Sequence, residues 1–293
     1  MFESIKRGFG FLGQAIDLAR KDSDLVKPSF FGLAASALVA IVGAVPLLAL
    51  ALLGGGSDIA RYGLYLLSAL LIFAQYATAY VFSGMTAFLV YEYLTQGDGR
   101  LDDAWRIVRR NWLGLVSLAA ATTVIKLLEG VLRGNGNRRN AAGGLFASVL
   151  DAVWTTGTYF ILPAMVIEDL NLPQALKRAT YIVKNNLLLV AVTEVGVSTV
   201  VGLAGFVLGL VAVALAVLVF LALFNASLVA AILVAVLVAG LPIALITAFT
   251  AYVTTAYHTC LFLWAREAEK AVQQGQTVQS ARMPAPLAAV LAG

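Results

Sequence analysis

Four ionisable side chains stand inside long apolar runs of this sequence: Lys126, Glu129, Asp151 and Glu194. A charge within a bilayer costs several kcal/mol unless it is paired or hydrated, so each is by default a candidate for ion or proton handling. Lys126 and Glu129 are three residues apart, which on a helix places them on one face within ion-pairing reach. Asp151 can approach them across the short connection between two neighbouring apolar runs. Glu194 stands about two turns into its run and has no partner nearby in sequence. Two readings stand for these groups. One is a structural ion-pair cluster near a membrane interface, with Glu194 facing a bundle or a water-filled funnel. The other is a transporter or channel that uses Glu194 and Asp151.

Other chemistries find little footing. His258 is the only histidine and Cys260 the only cysteine; two residues apart, they do not make a metal site. A single cysteine also excludes an intramolecular disulfide. No Ser-His-Asp set, phosphate-binding glycine loop, HExxH or paired-acid motif occurs in a suitable context. The expectation is therefore a protein that is not an enzyme, with no cofactor, no metal and no nucleic-acid partner.

The elements that must position these residues are apolar helices. Of 293 residues 61% are hydrophobic and 12% charged, in blocks longer than the roughly 20 residues a bilayer span requires. The fold class this implies is an all-α integral membrane protein with about six transmembrane helices. Expected spans run from about Ser29 to Leu53, Tyr62 to Leu94, Trp112 to Leu132 and Leu145 to Val166. Residues 187 to 264 carry no charge except Glu194. The turn signal Phe224-Asn225-Ala226-Ser227 divides that block into two long helices, preferred here over shorter ones with re-entrant pieces near Pro242. Gly205 and Gly209 form a GxxxG match, read as helix packing or a hinge.

Up to three polar islands separate the spans and read as interfacial amphipathic elbow helices. The clearest is Ile167 to Asn186: Leu172, Ala175, Leu176, Ala179 and Val183 share one face, and Asn171 with Gln174 suits a capping box. The island around Leu101 to Asn111 resembles it at a shift of 71 residues. At the N-terminus Ile5, Phe9, Leu12, Ile16 and Ala19 form a third apolar stripe. Headgroup contact is expected from Lys6, Arg7, Arg20, Lys21, Arg106, Arg109, Arg110, Lys177, Arg178 and Lys184, with anionic lipids the preferred partner. The chain then parses as one transmembrane domain, 1–265, of three elbow-plus-two-span units (about 1–95, 96–166 and 167–265), followed by a tail, 266–293.

With six spans, both termini and all elbows share a side that holds 15 of the 20 Lys and Arg residues. The positive-inside rule makes that side cytoplasmic and the location a plasma (inner) membrane. Gln14, Asp17 and Arg20 interrupt the N-terminal apolar run too early for a signal peptide, so none is expected to be cleaved.

The segment from Thr158-Tyr159-Phe160-Ile161-Leu162-Pro163 to Asn186 runs as a span ending in proline and an acid, then an Ala-Leu-Lys-Arg helix ending in Lys-Asn. It resembles an uncharacterised family of prokaryotic polytopic membrane proteins, similar to the membrane domain attached to some glycerophosphodiester phosphodiesterases. The resemblance implies a six-span bundle with interfacial elbows. It transfers no catalytic residue, because no phosphodiesterase domain with its metal-binding acids is present in this sequence. The functional expectation is an oligomeric membrane scaffold or lipid-interacting, membrane-shaping protein, a homo-oligomer or a subunit of a membrane complex; the alternative is the transporter or channel above.

Overall fold

A computed structural model describes residues 2–54, 57–133, 141–225, 227–277 and 281–291, the side chains at 2–5, 141–142, 185–198 and 289–291 excepted. Among the described residues the chain is α-helical without strands: α1 (Phe2–Lys21), a 3-10 turn (Ser23–Leu25), α2 (Lys27–Leu53), α3 (Asp58–Gln96), α4 (Leu101–Arg110), α5 (Trp112–Arg133), α6 (Ala141–Ile167), α7 (Leu172–Phe224), α8 (Leu228–Gln273) and α9 (Ala285–Leu291). Six of them, α2, α3, α5, α6, α7 and α8, are long and apolar enough to cross a membrane.

Local chemistry explains where the helices begin and stop. Ser57 caps α3 by accepting from the Ala60 N–H at 3.2 Å, and Ser227 does the same for α8 through Ala230. Gly97 ends α3 at φ 83° and Gly275 follows the end of α8 at φ 75°. At the second of these, Gln276 N donates to Ala271 O and Gly275 N to Val272 O, the Schellman pair of bonds that a residue without Cβ permits. Pro242 does not break α8, which runs unbroken for 46 residues, so the block from 187 to 264 holds two helices joined at the expected turn. The expected elbow at 167–186 is likewise continuous with the span that follows it: α7 is one helix of 53 residues. Nothing from Asn185 to Glu194 is Pro or Gly, so no residue stops the helix there.

The chain divides into two compact units, one of Ala34–Asn185 and one of Met1–Leu33 with Asn186–Gly293. In the first, α3, α5 and α6 pack pairwise and α4 lies against α3 and α5. Leu89, Leu115, Leu118, Phe160, Ile161 and Met165 fill its core. Gly84 lets the helices approach: a Cβ there would stand 3.3 Å from Val166 Cγ1 and 3.6 Å from Val108 Cγ2.

In the second unit α1 packs on α8 and α9. Its buried face is Gly8, Phe11, Ala15 and Leu18, one residue displaced from the stripe through Phe9, Leu12, Ile16 and Ala19. That displacement rotates the packed face by about 100°. Small residues at 8 and 15 permit close helix contact, which the bulkier stripe does not, and Phe9 stays 54% exposed. Ile5 lies outside the described side chains.

Candidate functional site: an elbow latch and an intramembrane ion cluster

The ion cluster joins α5 to α6. Lys126 Nζ lies 3.1 Å from Glu129 Oε2, one turn along the same helix, and also pairs with Asp151 of α6. Thr155, one turn beyond Asp151, donates to its Oδ1 at 3.2 Å. One turn before Lys126, Thr122 Oγ1 accepts from Trp154 Nε1 at 2.9 Å and shares a 2.8 Å hydrogen bond with Tyr80 of α3. The side chains are 6% exposed at Glu129, 26% at Lys126 and 38% at Asp151, so the cluster opens toward Asp151. Two carboxylates share one ammonium, and removal of that ammonium would leave Glu129 buried without its counter-charge.

The elbow latch lies at the other end of α6. Past Ile167 the chain turns at Asp169, which adopts φ 57°, a left-handed conformation that Asp tolerates better than most residues. Asn171 and Gln174 then close the capping box, with Gln174 N donating to Asn171 Oδ1 at 3.1 Å and Asn171 N to Gln174 Oε1 at 3.2 Å. Arg178, two turns into α7, grips Glu168 with both faces of its fork, Nε to Oε2 at 2.9 Å and Nη2 to Oε1 at 3.3 Å. From the neighbouring elbow Arg110 pairs with Asp169, and Asn111 Nδ2 donates to Met165 O at 3.2 Å. The Arg110 guanidinium holds the Asp169 carboxyl below the usual carboxylate range, against a smaller upward push from burial and with help from Asn111. At the start of that elbow, buried Glu92 accepts from the Arg100 N–H at 2.9 Å and so caps α4.

These contacts redistribute the basic residues expected at headgroups. Arg178 and Arg110 engage carboxylates of the protein. Arg106 pairs with Asp103 at 2.9 Å while its side chain stays 77% exposed. Arg109, Lys177 and Lys184 are exposed, as are Lys6, Arg20 and Lys21 of α1, while Arg7 is half-buried. Glu194 belongs to α7, but its side chain lies outside the described residues, as do Arg138 and Arg139.

Tyr80, Thr122 and Trp154 were not singled out in the sequence; their only trace was the four-residue step from Thr122 to Lys126. Glu92, inside the last turns of α3, was also missed, and Glu168 and Asp169 were read only as acids at the end of a span, without their partners. Among the described residues no three His, Cys, Asp or Glu side chains gather as metal ligands.

Six helices of this length and apolarity define a multi-pass, all-α membrane protein. The chain belongs to a family of unknown function, DUF6159, whose model matches residues 60–271. No curated protein matches it.

Proposed function

We propose that the protein is a non-enzymatic, lipid-interacting membrane scaffold whose elbows hold it to an anionic leaflet. The observation that carries this reading is an asymmetry of partners. Asp103, Glu168 and Asp169 at the two elbow joints pair with bases of the protein, which leaves exposed side chains at Asp98 and Asp102 against three at Arg109, Lys177 and Lys184. Beside them stand Trp105, Trp112 and Tyr181 at 51%, 54% and 51% exposure, the amphipathic aromatics that favour the headgroup level. Each base near an anionic surface adds about 1 kcal/mol of attraction. In this reading the elbows and both termini face the cytoplasm of a plasma (inner) membrane, and copies of the chain associate into the scaffold.

The test is lipid selection by nanodiscs or by native mass spectrometry after purification. The wild type should enrich phosphatidylglycerol over phosphatidylcholine, and Arg106→Gln, Arg109→Gln, Lys177→Gln and Lys184→Gln together should abolish the preference without unfolding the protein. A wild type that shows no preference for either lipid ends this reading.

A second reading, transport, is favoured by one observation: the hydrogen-bonded run Tyr80, Thr122 and Trp154 stands one turn from Lys126 and Asp151. In that reading Asp151 and Glu194 carry the transported cation or proton. Asp151→Asn and Glu194→Gln should then each slow flux into proteoliposomes, and equal flux in wild type, both variants and empty vesicles would dismiss it.

A further inference from the structure

We infer that the acyl-chain-facing surface of α8 stops near Thr247, and that the uncharged residues after it run at the headgroup level or beyond, inside a collar made by α1 and α9. No charged residue interrupts α8 before Arg266, so the absence of charge alone would carry the membrane through to Trp264.

Burial divides the helix. Val229, Leu233, Leu237, Leu241 and Leu245 are 67%, 60%, 67%, 64% and 48% exposed. The stretch 228 to 247 that carries them is twenty residues, about 30 Å of helix, which is one hydrocarbon layer. Residues 248 to 255 are mixed, with Ala248, Tyr252 and Val253 buried and Ala251 exposed, and from Ala256 to Ala265 all ten residues are buried, so no face of the helix is left there for lipid.

What covers this second stretch sets its depth. Tyr252 Oη donates to Ala15 O of α1 at 3.2 Å, and Phe11 of α1 meets Tyr257 edge-on with ring centroids 5.0 Å apart. α9 packs on both α1 and α8, with Leu287 fully buried. On its outer side α1 exposes Lys6, Asp17, Arg20 and Lys21. A helix with four charges on its free surface does not lie in hydrocarbon. Tyr252 and Tyr257, bound to α1 at Ala15 and Phe11, must therefore sit at the headgroup or water level with it.

The two observations agree without sharing a premise. The length of exposed helix places the boundary after Thr247, and the charges on the covering helix place it before Tyr252. Acyl chains are thus the partner of 228–247 and of the exposed side chains Leu203 to Phe224 on α7, and headgroups the partner of α1. This does not rest on the elbow reading, because neutral headgroups would seat α1 as well.

Spin labels test the register. Single cysteines at Val229, Leu233, Leu237, Leu241 and Leu245, and at Asp17 and Arg20, in a Cys260→Ala background are labelled in proteoliposomes, and collisions with oxygen and with a water-soluble nickel chelate give the depth of each. The expected profile is deepest at Leu237, shallow by Val229 and Leu245, with Asp17 and Arg20 nickel-accessible. Depth that still increases toward Leu245, or α1 labels as oxygen-rich as Leu237, overturns the inference. Should Cys260→Ala not fold, the unaltered protein in nanodiscs serves: Lys6 and Lys21 should react with a water-soluble amine reagent, and protection of both would overturn it too.

Discussion

The unit of residues 34–185 and the hairpin of α7 and α8 are both helical and both apolar, yet they are held together by different means. In the first, side chains reach across: Lys126 to Asp151, Trp154 and Tyr80 to Thr122, Arg110 to Asp169, Asn111 to Met165 O. In the hairpin, among the described residues from 199 to 250, no side-chain hydrogen bond or ion pair joins the two helices. Beyond Val200 and Val201, the buried positions there are small: Ala212 and Ala216 on α7, Ala231 and Ala248 on α8. A Cβ on Gly205 would stand 3.6 Å from Ile246 Cγ2 and from Thr250 Oγ1 of α8. In lipid there is no hydrophobic drive to bring helices together, so close packing of small residues and polar contacts are the two available forces. Each region uses chiefly one of them.

The comparison is open to attack from both sides. The largest effect is expected from Lys126→Ala, which strands buried Glu129 and Asp151; by analogy with broken buried pairs it should cost about 3 kcal/mol. Lys126→Met combined with Glu129→Gln and Asp151→Asn should recover most of that loss. Unfolding in detergent read by circular dichroism would decide it, and equal stability for single and triple variants would show that the cluster does not act through charge.

Ala231→Leu, at a fully buried hairpin position, should cost about 1–3 kcal/mol by overpacking. Leu237→Ala on the exposed side should leave helix association unchanged. Were the two to behave alike, the small-residue seam would not be what holds the hairpin.

Arg178→Ala breaks a two-pronged contact whose partners are each 19% exposed, and should cost about 1.5–3 kcal/mol. Its signature is local: faster hydrogen exchange over Asn171 to Ala179, with the ion cluster at Lys126 unaffected.

The smallest effect belongs to Arg110 and Asp169, whose side chains are 59% and 48% exposed; a surface pair contributes under about 1 kcal/mol. Because the folded carboxyl is held below its ordinary value, its contribution is complete above the unfolded pKa of about 4 and is lost as pH falls below that. Asp169→Asn keeps a side chain that tolerates positive φ and should remove this acid-limb loss. An unaltered stability profile between about pH 5 and 3 would show that the pair is not linked to folding.

How much of this was legible follows from the range of each interaction. The Lys126–Glu129 pair and the capping box of Asn171 and Gln174 are local, at three-residue spacing, so helix geometry alone brings them together. Asp151 was reachable because it stands across one connection. Tyr80 and Trp154, which meet at Thr122 from 42 and 32 residues away, had no such signal. The packed face of α1, one residue removed from the stripe read as facing the membrane, had no signal of its own, because an amphipathic pattern shows that a helix has an apolar side and not which residues a protein neighbour will cover. Arg178 and Arg110 read as free bases, since in sequence a base beside an anionic leaflet and a base beside a carboxylate look alike.

By itself the sequence determined that this is an all-α, multi-pass membrane protein, where its helices turn, and which charges are stranded in apolar surroundings. Those features depend on composition and on spacings within a turn or two. Tertiary structure alone decided which bases pair with protein and which remain exposed. It also decided that α7 runs unbroken from elbow to tip, and that the last apolar stretch of α8 is covered by α1 and α9. An apolar side chain is equally satisfied by lipid and by protein, so hydrophobicity cannot say which of the two it meets.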